Sequence, residues 1–370
     1  MNACRACGHN GLRRVLDVGA VPAADHFPPA DQPMSGGDGT HPLAMDLCPD
    51  CGLAQLTDDD TVTAEPRGVE PQALRDQAED AVRMVEWAGW LRGSTVREFG
   101  SPHGGTWLPL LAERGFTPVR NAASEGADVV LDCFGIMHEP DQRDAFARRA
   151  AATAAGGVLL LQYHSLSAIV GQGQWNALRH GHFAYYSMPA LTRLLDAAGM
   201  RAVTAWQFDL YGGTVLLAAV HQDDERAKAP DEIVPRLRAA DSALADPAAV
   251  GTLQAAADAY VLALRSRLTH ERQSGRTVYG YGAASRAVAA FAMAELNRTL
   301  IAGVADASAA KQGRRMPGTD VPIISPDELV AADPDVVLLT LPDLLSEVSA
   351  RYPQLAGRWV TDDRIAMRSD

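Results

Sequence analysis

Apolar positions follow three successive patterns along the chain. Near the N-terminus they form short runs of strand length, at residues 15–18 and 42–47. From about residue 75 to 220, helical and strand spacings alternate. Residues 78–91 repeat apolar positions at helical spacing, and 94–99 read as a strand. Then come a helix at 106–114, strands at 116–120 and 128–132, a helix at 141–155 and a buried strand at 157–163. A helix at 191–198 and a strand at 214–220 end this region. After a polar linker, a helical stretch from about 234 to 273 breaks near Asp246-Pro247. Strands at 277–282, 300–306 and 335–340 follow, interleaved with helices.

Alternation of strands and helices predicts an α/β chain with parallel sheets. The expected units are a small module at 1–65, a Rossmann-type domain at 75–220, a linker with helices at 221–273, and a second Rossmann-like domain at 274–370. One interval is too short. Residues 121–127 alone separate the second and third strands of the central domain, whereas a parallel crossover takes a dozen residues or more. The central domain is therefore expected to be truncated after its second strand.

Four of the five cysteines form two pairs, Cys4-Arg-Ala-Cys7-Gly8 and Cys48-Pro-Asp-Cys51-Gly52. The two-residue gap lets both thiolates of a pair reach one ion, and a four-thiolate zinc site is closed and structural. The formal net charge of −13 argues against nucleic-acid and anionic-membrane partners. No apolar stretch approaches the ~20 residues of a membrane helix, and a cytoplasmic protein is expected. Its partner is expected to be a small molecule.

Two strand–turn–helix units carry glycine. The first runs through Gly100-Ser101-Pro102-His103-Gly104 after Glu98; the glycines let a ligand approach the backbone. The second, Gly280-Tyr-Gly282-Ala-Ala-Ser285-Arg286, opens a helix whose N-terminus suits an anion. It carries Ser285 in place of the third glycine or alanine of a dinucleotide fingerprint, which lowers the dehydrogenase reading. Between them, Arg179-His180-Gly181-His182-Phe183-Ala184-Tyr185 concentrates reactive groups. Histidine is the natural proton acceptor near neutral pH, and a tyrosine hydroxyl can stabilise an enolate oxygen. Cys133, His138 and His164 read as packing or surface residues.

Together these motifs resemble the zinc-containing sugar C-methyltransferases of antibiotic deoxysugar pathways, along nearly the whole chain. Further matches are Tyr211-Gly-Gly-Thr214 and the segment from Lys311 to Gly318. The resemblance implies structural zinc on Cys4, Cys7, Cys48 and Cys51, and S-adenosylmethionine at Glu98, Gly100, Ser101, Gly104 and Asp132. It implies a nucleotide-linked 4-keto-6-deoxysugar near Arg179, Tyr211, Gly282, Ser285 and Arg286. His182 would take the proton next to the ketone, with His180 and Tyr185 beside it, and the enolate would attack the methyl group.

The departures cluster on the cofactor pocket. The family's glutamate between the two histidines is Gly181, the tyrosine before them is Arg179, and the acid expected on the ribose falls at Ala122. Two further readings follow. An enolate-forming enzyme without a methyl donor would be an epimerase, isomerase, eliminating enzyme or cyclase. A non-catalytic binding or partner protein is the other.

Overall fold

The computed structural model describes residues 3–32, 34, 39–59, 61, 70–102, 104–119 and 126–361. Sequence expectations that fall on 62–69, on His103 or on 120–125, including the replaced segment after the zinc module and the ribose-acid position, lie outside the described residues.

The N-terminal part forms an antiparallel meander of β1 (Arg13–Pro22), β2 (Thr40–Leu47) and β3 (Ala54–Leu56). Its inner face, including Leu16, Leu43, Met45 and Leu56, is fully buried.

The central part begins with α1 (Gln72–Trp87), β4 (Thr95–Phe99), α2 (Leu108–Ala112), β5 (Thr117–Pro118) and β6 (Ala127–Cys133). It continues with α3 (Gln142–Ala152), β7 (Thr153–His164), α4 (Leu166–Gly171), β8 (Ala184–Tyr185), α5 (Met188–Ala197), β9 (Met200–Phe208) and β10 (Thr214–His221). The central sheet has the order β5-β4-β6-β7-β10-β9. Its first four strands are parallel and the last two pairings antiparallel. The expected second strand survives as the two residues of β5, at the sheet edge. The segment 200–208, to which the sequence patterns assign no element, is a nine-residue strand. It pairs with β10 along its whole length, and that pairing is not visible in local spacing.

β8 leaves the central part and adds to the N-terminal sheet, in the order β1-β2-β3-β8. Ala54 pairs with Tyr185 and Gln55 with Ala184. The zinc module therefore holds the strand that carries Tyr185.

The helical segment breaks where expected, into α6 (Ile233–Ala240) and α7 (Pro247–Gln273), with Asp246 capping the second. α7 buries Val250, Leu253 and Ala257 against the N-terminal sheet, and Leu264 and Leu268 against the C-terminal part. The C-terminal part comprises β11 (Val278–Tyr281), α8 (Ser285–Met293), β12 (Val304–Ala305), β13 (Ile323–Ile324), α9 (Pro326–Ala332), β14 (Val336–Leu339), α10 (Leu345–Arg351) and β15 (Trp359–Thr361). Its five strands are all parallel, ordered β13-β12-β11-β14-β15. Both glycine-rich turns leave the carboxyl ends of central strands, where open α/β sheets bind ligands. Among the described residues no helix is long and apolar enough to cross a membrane.

Candidate functional site

The four cysteines of the two knuckles converge. Their sulfurs all lie within 4.8 Å of one another, with Cys4–Cys51 at 3.5 Å and Cys7–Cys48 at 3.6 Å. A tetrahedron of thiolates about 2.3 Å from zinc has edges of about 3.8 Å, so the donor set fits that ion. The knuckles repeat one backbone turn. Gly8 N donates to Cys4 O at 2.9 Å and Gly52 N to Cys48 O at 2.8 Å. Both glycines are left-handed, at φ +77° and +75°, a conformation that glycine adopts at least cost. Sharing of a proton with Cys51 lowers the Cys4 thiol to about 5. The first knuckle docks on the central part through Arg143 Nε to Ala6 O, 2.6 Å, and Arg5 Nη1 to Pro140 O, 2.9 Å.

A cavity of about 230 Å³ lies between the central and C-terminal parts. One wall carries His138, from the turn after β6, and His182. Their rings stand edge to face with centres 4.3 Å apart. Gly181 is left-handed at φ +77°. Its carbonyl lies 2.8 Å from His138 Nδ1 and its N–H donates to Asp59 at 2.5 Å. A carbonyl can only accept, so the His138 proton sits on Nδ1 and Nε2 is the basic nitrogen.

A second wall is cationic. Arg179 Nη1 donates to Ser285 Oγ at 2.9 Å, and Arg286 Nη2 to Asn176 Oδ1 at 3.0 Å. The central and C-terminal parts thus each lend the other a guanidinium. Among the described residues nothing accepts from Arg179 Nε or Arg286 Nε, and both atoms are buried. Burial lowers the Arg179 pKa below the ordinary guanidinium value. Lys311 is held by the Ala283 carbonyl at 2.9 Å and lies over the Phe27 ring.

A third wall holds His164 at the end of β7 and Tyr211. Burial, with Arg286 and Arg179 nearby, brings the His164 pKa down to about 3, so its ring is neutral. Burial raises Tyr211 to about 12, so its hydroxyl stays protonated. Tyr211 is left-handed at φ +56°, as is Phe134 at +60°, and their rings meet 5.8 Å apart. Such conformations cost of order 1–3 kcal/mol each and cluster at functional sites. Tyr211 N donates to Asp343 Oδ1 at 3.2 Å, which ties this strained turn to the C-terminal part.

Several expectations need correction. His180 does not line the cavity; its Nε2 lies 3.2 Å from the Pro42 carbonyl and its ring meets His41. The left-handed turn at Gly181 sends the two flanking histidines apart. Asp132 is fully buried in an ion pair with Arg149, at 2.7 Å, and accepts from the N–H groups of Gly135 and Ile136. It supports the turn below the site and lines no cavity. Gly282 is scaffold, since a Cβ there would fall 2.7 Å from Thr340 Oγ1. Tyr185 lines the cavity, but its hydroxyl already donates to Ala177 O and accepts from Arg179 N, each at 3.2 Å. Ser285 and Arg286 stand at the cavity as expected. Sequence reasoning missed His138, His164 and Cys133 as cavity residues, together with Asn176 and Lys311. The first three follow or end buried strands, the position that marks ligand sites in such sheets.

The expected methyl-donor residues surround a narrow extension of this cavity, which shares Glu70, Leu74, Ser101, Gly104, Cys133 and Phe134 with it. Glu98, Gly100, Ser101 and Gly104 line a space of about 30 Å³, room for a water or two, against about 300–1,000 Å³ in ligand pockets. Glu98 is engaged by Thr106 Oγ1 at 2.5 Å and Trp107 N at 2.7 Å. Trp107 is buried beside it, and Gln162 donates across the cleft to Gln77 at 2.6 Å. Glu70 lies so close to Gly105 that a Cβ there would come within 2.7 Å of its carboxylate. The Glu70 and Glu98 carboxylates suit the sulfonium and ammonium charges of S-adenosylmethionine, while His103 and residues 120–125 lie outside the described residues.

Comparison with known proteins bears on the whole chain. A family profile described as "Putative zinc binding domain" matches residues 4–65, and the C-methyltransferase C-terminal domain matches residues 209–361. The chain belongs to the C-methyltransferase family. This family member is similar to the C-methyltransferase NovU of Streptomyces niveus, at 25% identity over 380 residues, covering 92% of this chain and 89% of that protein. Among solved structures, magnesium protoporphyrin IX methyltransferase from Synechocystis PCC 6803 with bound SAH overlaps 40% of this C-methyltransferase-family chain and 84% of its own, at 13% identity and TM-score 0.29. An S-adenosylmethionine-dependent methyltransferase from Clostridium acetobutylicum ATCC 824 overlaps 41% and 92%, at 9% identity and TM-score 0.28.

Proposed function

We propose that this enzyme binds a nucleotide-linked keto-sugar and removes the proton from the carbon next to its ketone. One observation carries the reading. Two guanidiniums whose buried Nε donors have no acceptor among the described residues share a cavity with the His138–His182 pair. A buried donor without a partner costs about 1–3 kcal/mol, which an anionic substrate would recover. A diphosphate between Arg179, Arg286 and Lys311 would present the attached sugar to the histidines.

His182, assisted by His138, takes the proton. The C–H electron pair moves into a carbon–carbon double bond and the ketone oxygen gains negative charge. Tyr211, protonated at neutral pH, and the guanidiniums stabilise that oxygen; Tyr185, with its hydroxyl committed, holds the loop in place. The nucleotide sugar is the substrate class that the family resemblance implies, and the cationic wall is compatible with it.

The test is loss of the α-proton signal of a nucleoside-diphosphate 4-keto-6-deoxysugar in deuterated buffer, followed by proton magnetic resonance. Wild-type protein should exchange it. His182→Asn should slow exchange at least about 100-fold, the usual weight of a positioned proton acceptor. Arg286→Ala should weaken binding about 10- to 150-fold, the value of a charged hydrogen bond. A wild-type rate equal to the buffer rate would overturn the reading.

A further inference from the structure

We propose that Asp343 is a positioning residue that holds Tyr211 for the ketone oxygen, so that the enolate site is complete only with the C-terminal part docked. This role rests on the enolate reading above and names the device that presents the stabilising hydroxyl.

Tyr211 lacks the freedom of glycine, yet its backbone is left-handed at φ +56° and ψ +23°. A bulky residue keeps that conformation only where its surroundings over-determine it. Here the turn is gripped from two sides. From the central part, Gln174 Nε2 donates to the Tyr211 carbonyl at 3.0 Å and Gln172 Nε2 to the Gly212 carbonyl at 2.5 Å. From the C-terminal part, Asp343 Oδ1 accepts from the Tyr211 N–H at 3.2 Å. Hydrogen bonds to an ionised carboxylate are roughly twice as strong as neutral ones. The ring meets Phe134 at 5.8 Å and His164 at 6.2 Å on the cavity wall. Burial raises the Tyr211 pKa to about 12; Arg179 opposes the rise and Asp343 adds to it. The carboxylate that holds the turn therefore also favours the protonated hydroxyl, the form that donates to an enolate oxygen.

A second carboxylate of the same segment makes a second contact of the same kind. Glu347, in the first turn of α10, accepts from the Gln72 N–H at 3.0 Å, at the start of α1. α1 has no cap of its own, because Pro71 stands at its N-cap and its first turn holds no acid. Glu70, just before Pro71, lines the cavity. Asp343 and Glu347 thus clasp two pieces of the central part's cavity wall. Their duties differ. Glu347, with the Arg179–Ser285 and Arg286–Asn176 contacts, keeps the parts docked when Asp343 is lost. Loss of Asp343 should then disturb Tyr211 and spare substrate affinity.

Two measurements on the intact chain test this. The first is α-proton exchange of a nucleoside-diphosphate 4-keto-6-deoxysugar in deuterated buffer. Asp343→Ala should lower kcat about 10- to 100-fold, the scale of a misplacement of roughly 1 Å, with little change in KM. Asp343→Asn keeps an acceptor for the N–H and should restore most of kcat. Adding Asp343→Ala to Tyr211→Phe should cost nothing further, because both changes act through one hydroxyl. The second is amide hydrogen exchange at Tyr211, read by mass spectrometry. The amide should be protected in wild type and Asp343→Asn, and exposed in Asp343→Ala. Additive losses in the double variant, or a raised KM in place of a lowered kcat, would overturn the role of Asp343 and leave enolate formation standing. A kcat for Asp343→Asn no higher than for Asp343→Ala would do the same, as would equal Tyr211 protection in all three proteins. A wild type that leaves the substrate proton in place would sink the enolate reading and the ketone role together, while lost protection in Asp343→Ala would keep the grip on the turn.

Discussion

The His138 imidazole is oriented by Gly181, whose carbonyl accepts from Nδ1 at 2.8 Å while its own N–H is fixed by Asp59. The geometry depends on a left-handed backbone at Gly181. A side chain with a Cβ costs roughly 1–2 kcal/mol in that region. Gly181→Ala should therefore lower stability by about that amount and slow turnover through kcat, with little change in KM. Gly181→Asn, which tolerates this backbone better, should retain most of both. Equal kcat for the alanine variant and wild type would remove the glycine from this role.

Asp132 and Arg149 form a buried pair at 2.7 Å, with Arg149 also 3.0 Å from Glu139. Removing one partner of such a pair typically costs about 3–5 kcal/mol. Asp132→Asn should thus lower the melting temperature by several degrees while ligand affinity of the folded fraction is unchanged. A ligand-binding role would give the opposite split, measurable by thermal unfolding and calorimetry on the same sample.

The zinc ligands were legible because their information is local: two spacings and two glycines specify the knuckles. The two sheets rich in helix crossovers were legible from alternating patterns, and the shortened second strand from the few residues before the next. Side-chain direction was not. His180 and His182 look equivalent in sequence, and only the left-handed turn between them decides that one faces Pro42 and the other His138. Asp132 ends a strand as a ligand-binding acid would, yet Arg149 on the neighbouring helix draws it inward. His164 became a site residue because antiparallel β10 and the Tyr211 turn enclose it, and those pairings lie some fifty residues apart.

His164 should leave a mark on the acid limb of stability. Its folded pKa of about 3 lies below the ordinary value of 6.5, because burial and two neighbouring cations disfavour the charged ring. Above pH 6.5 both folded and unfolded states are neutral at this position and no difference arises. As pH falls below that value the unfolded chain takes a proton that the folded chain refuses. Stability should then fall by up to about 1.4 kcal/mol per pH unit until the folded pKa is reached. His164→Gln should flatten that slope in denaturant titrations between pH 6 and 4. An unchanged slope would mean that the ring is solvated in the folded state.

Zinc should control the site although none of its ligands touches the cavity. The second knuckle leads from Cys51 directly into β3, whose Ala54 pairs with Tyr185. The Gly52 carbonyl accepts from Ser187 Oγ at 3.3 Å, and Ser187 also caps α5. Cys4, Cys48 and Cys51 pack in the same apolar core as Met137, Phe146 and Tyr186. Without the ion, four thiols that repel as thiolates would have no reason to remain within 4.8 Å of one another. β3 would lose its anchor, and β8 would lose the strand that positions Tyr185 and the loop of His182. Metal analysis should give one zinc per chain. Chelation, or Cys51→Ser, should lower the melting temperature and abolish nucleotide-sugar binding, and zinc added after chelation should restore both. Unchanged binding by the metal-free protein would show that β8 holds its place without β3.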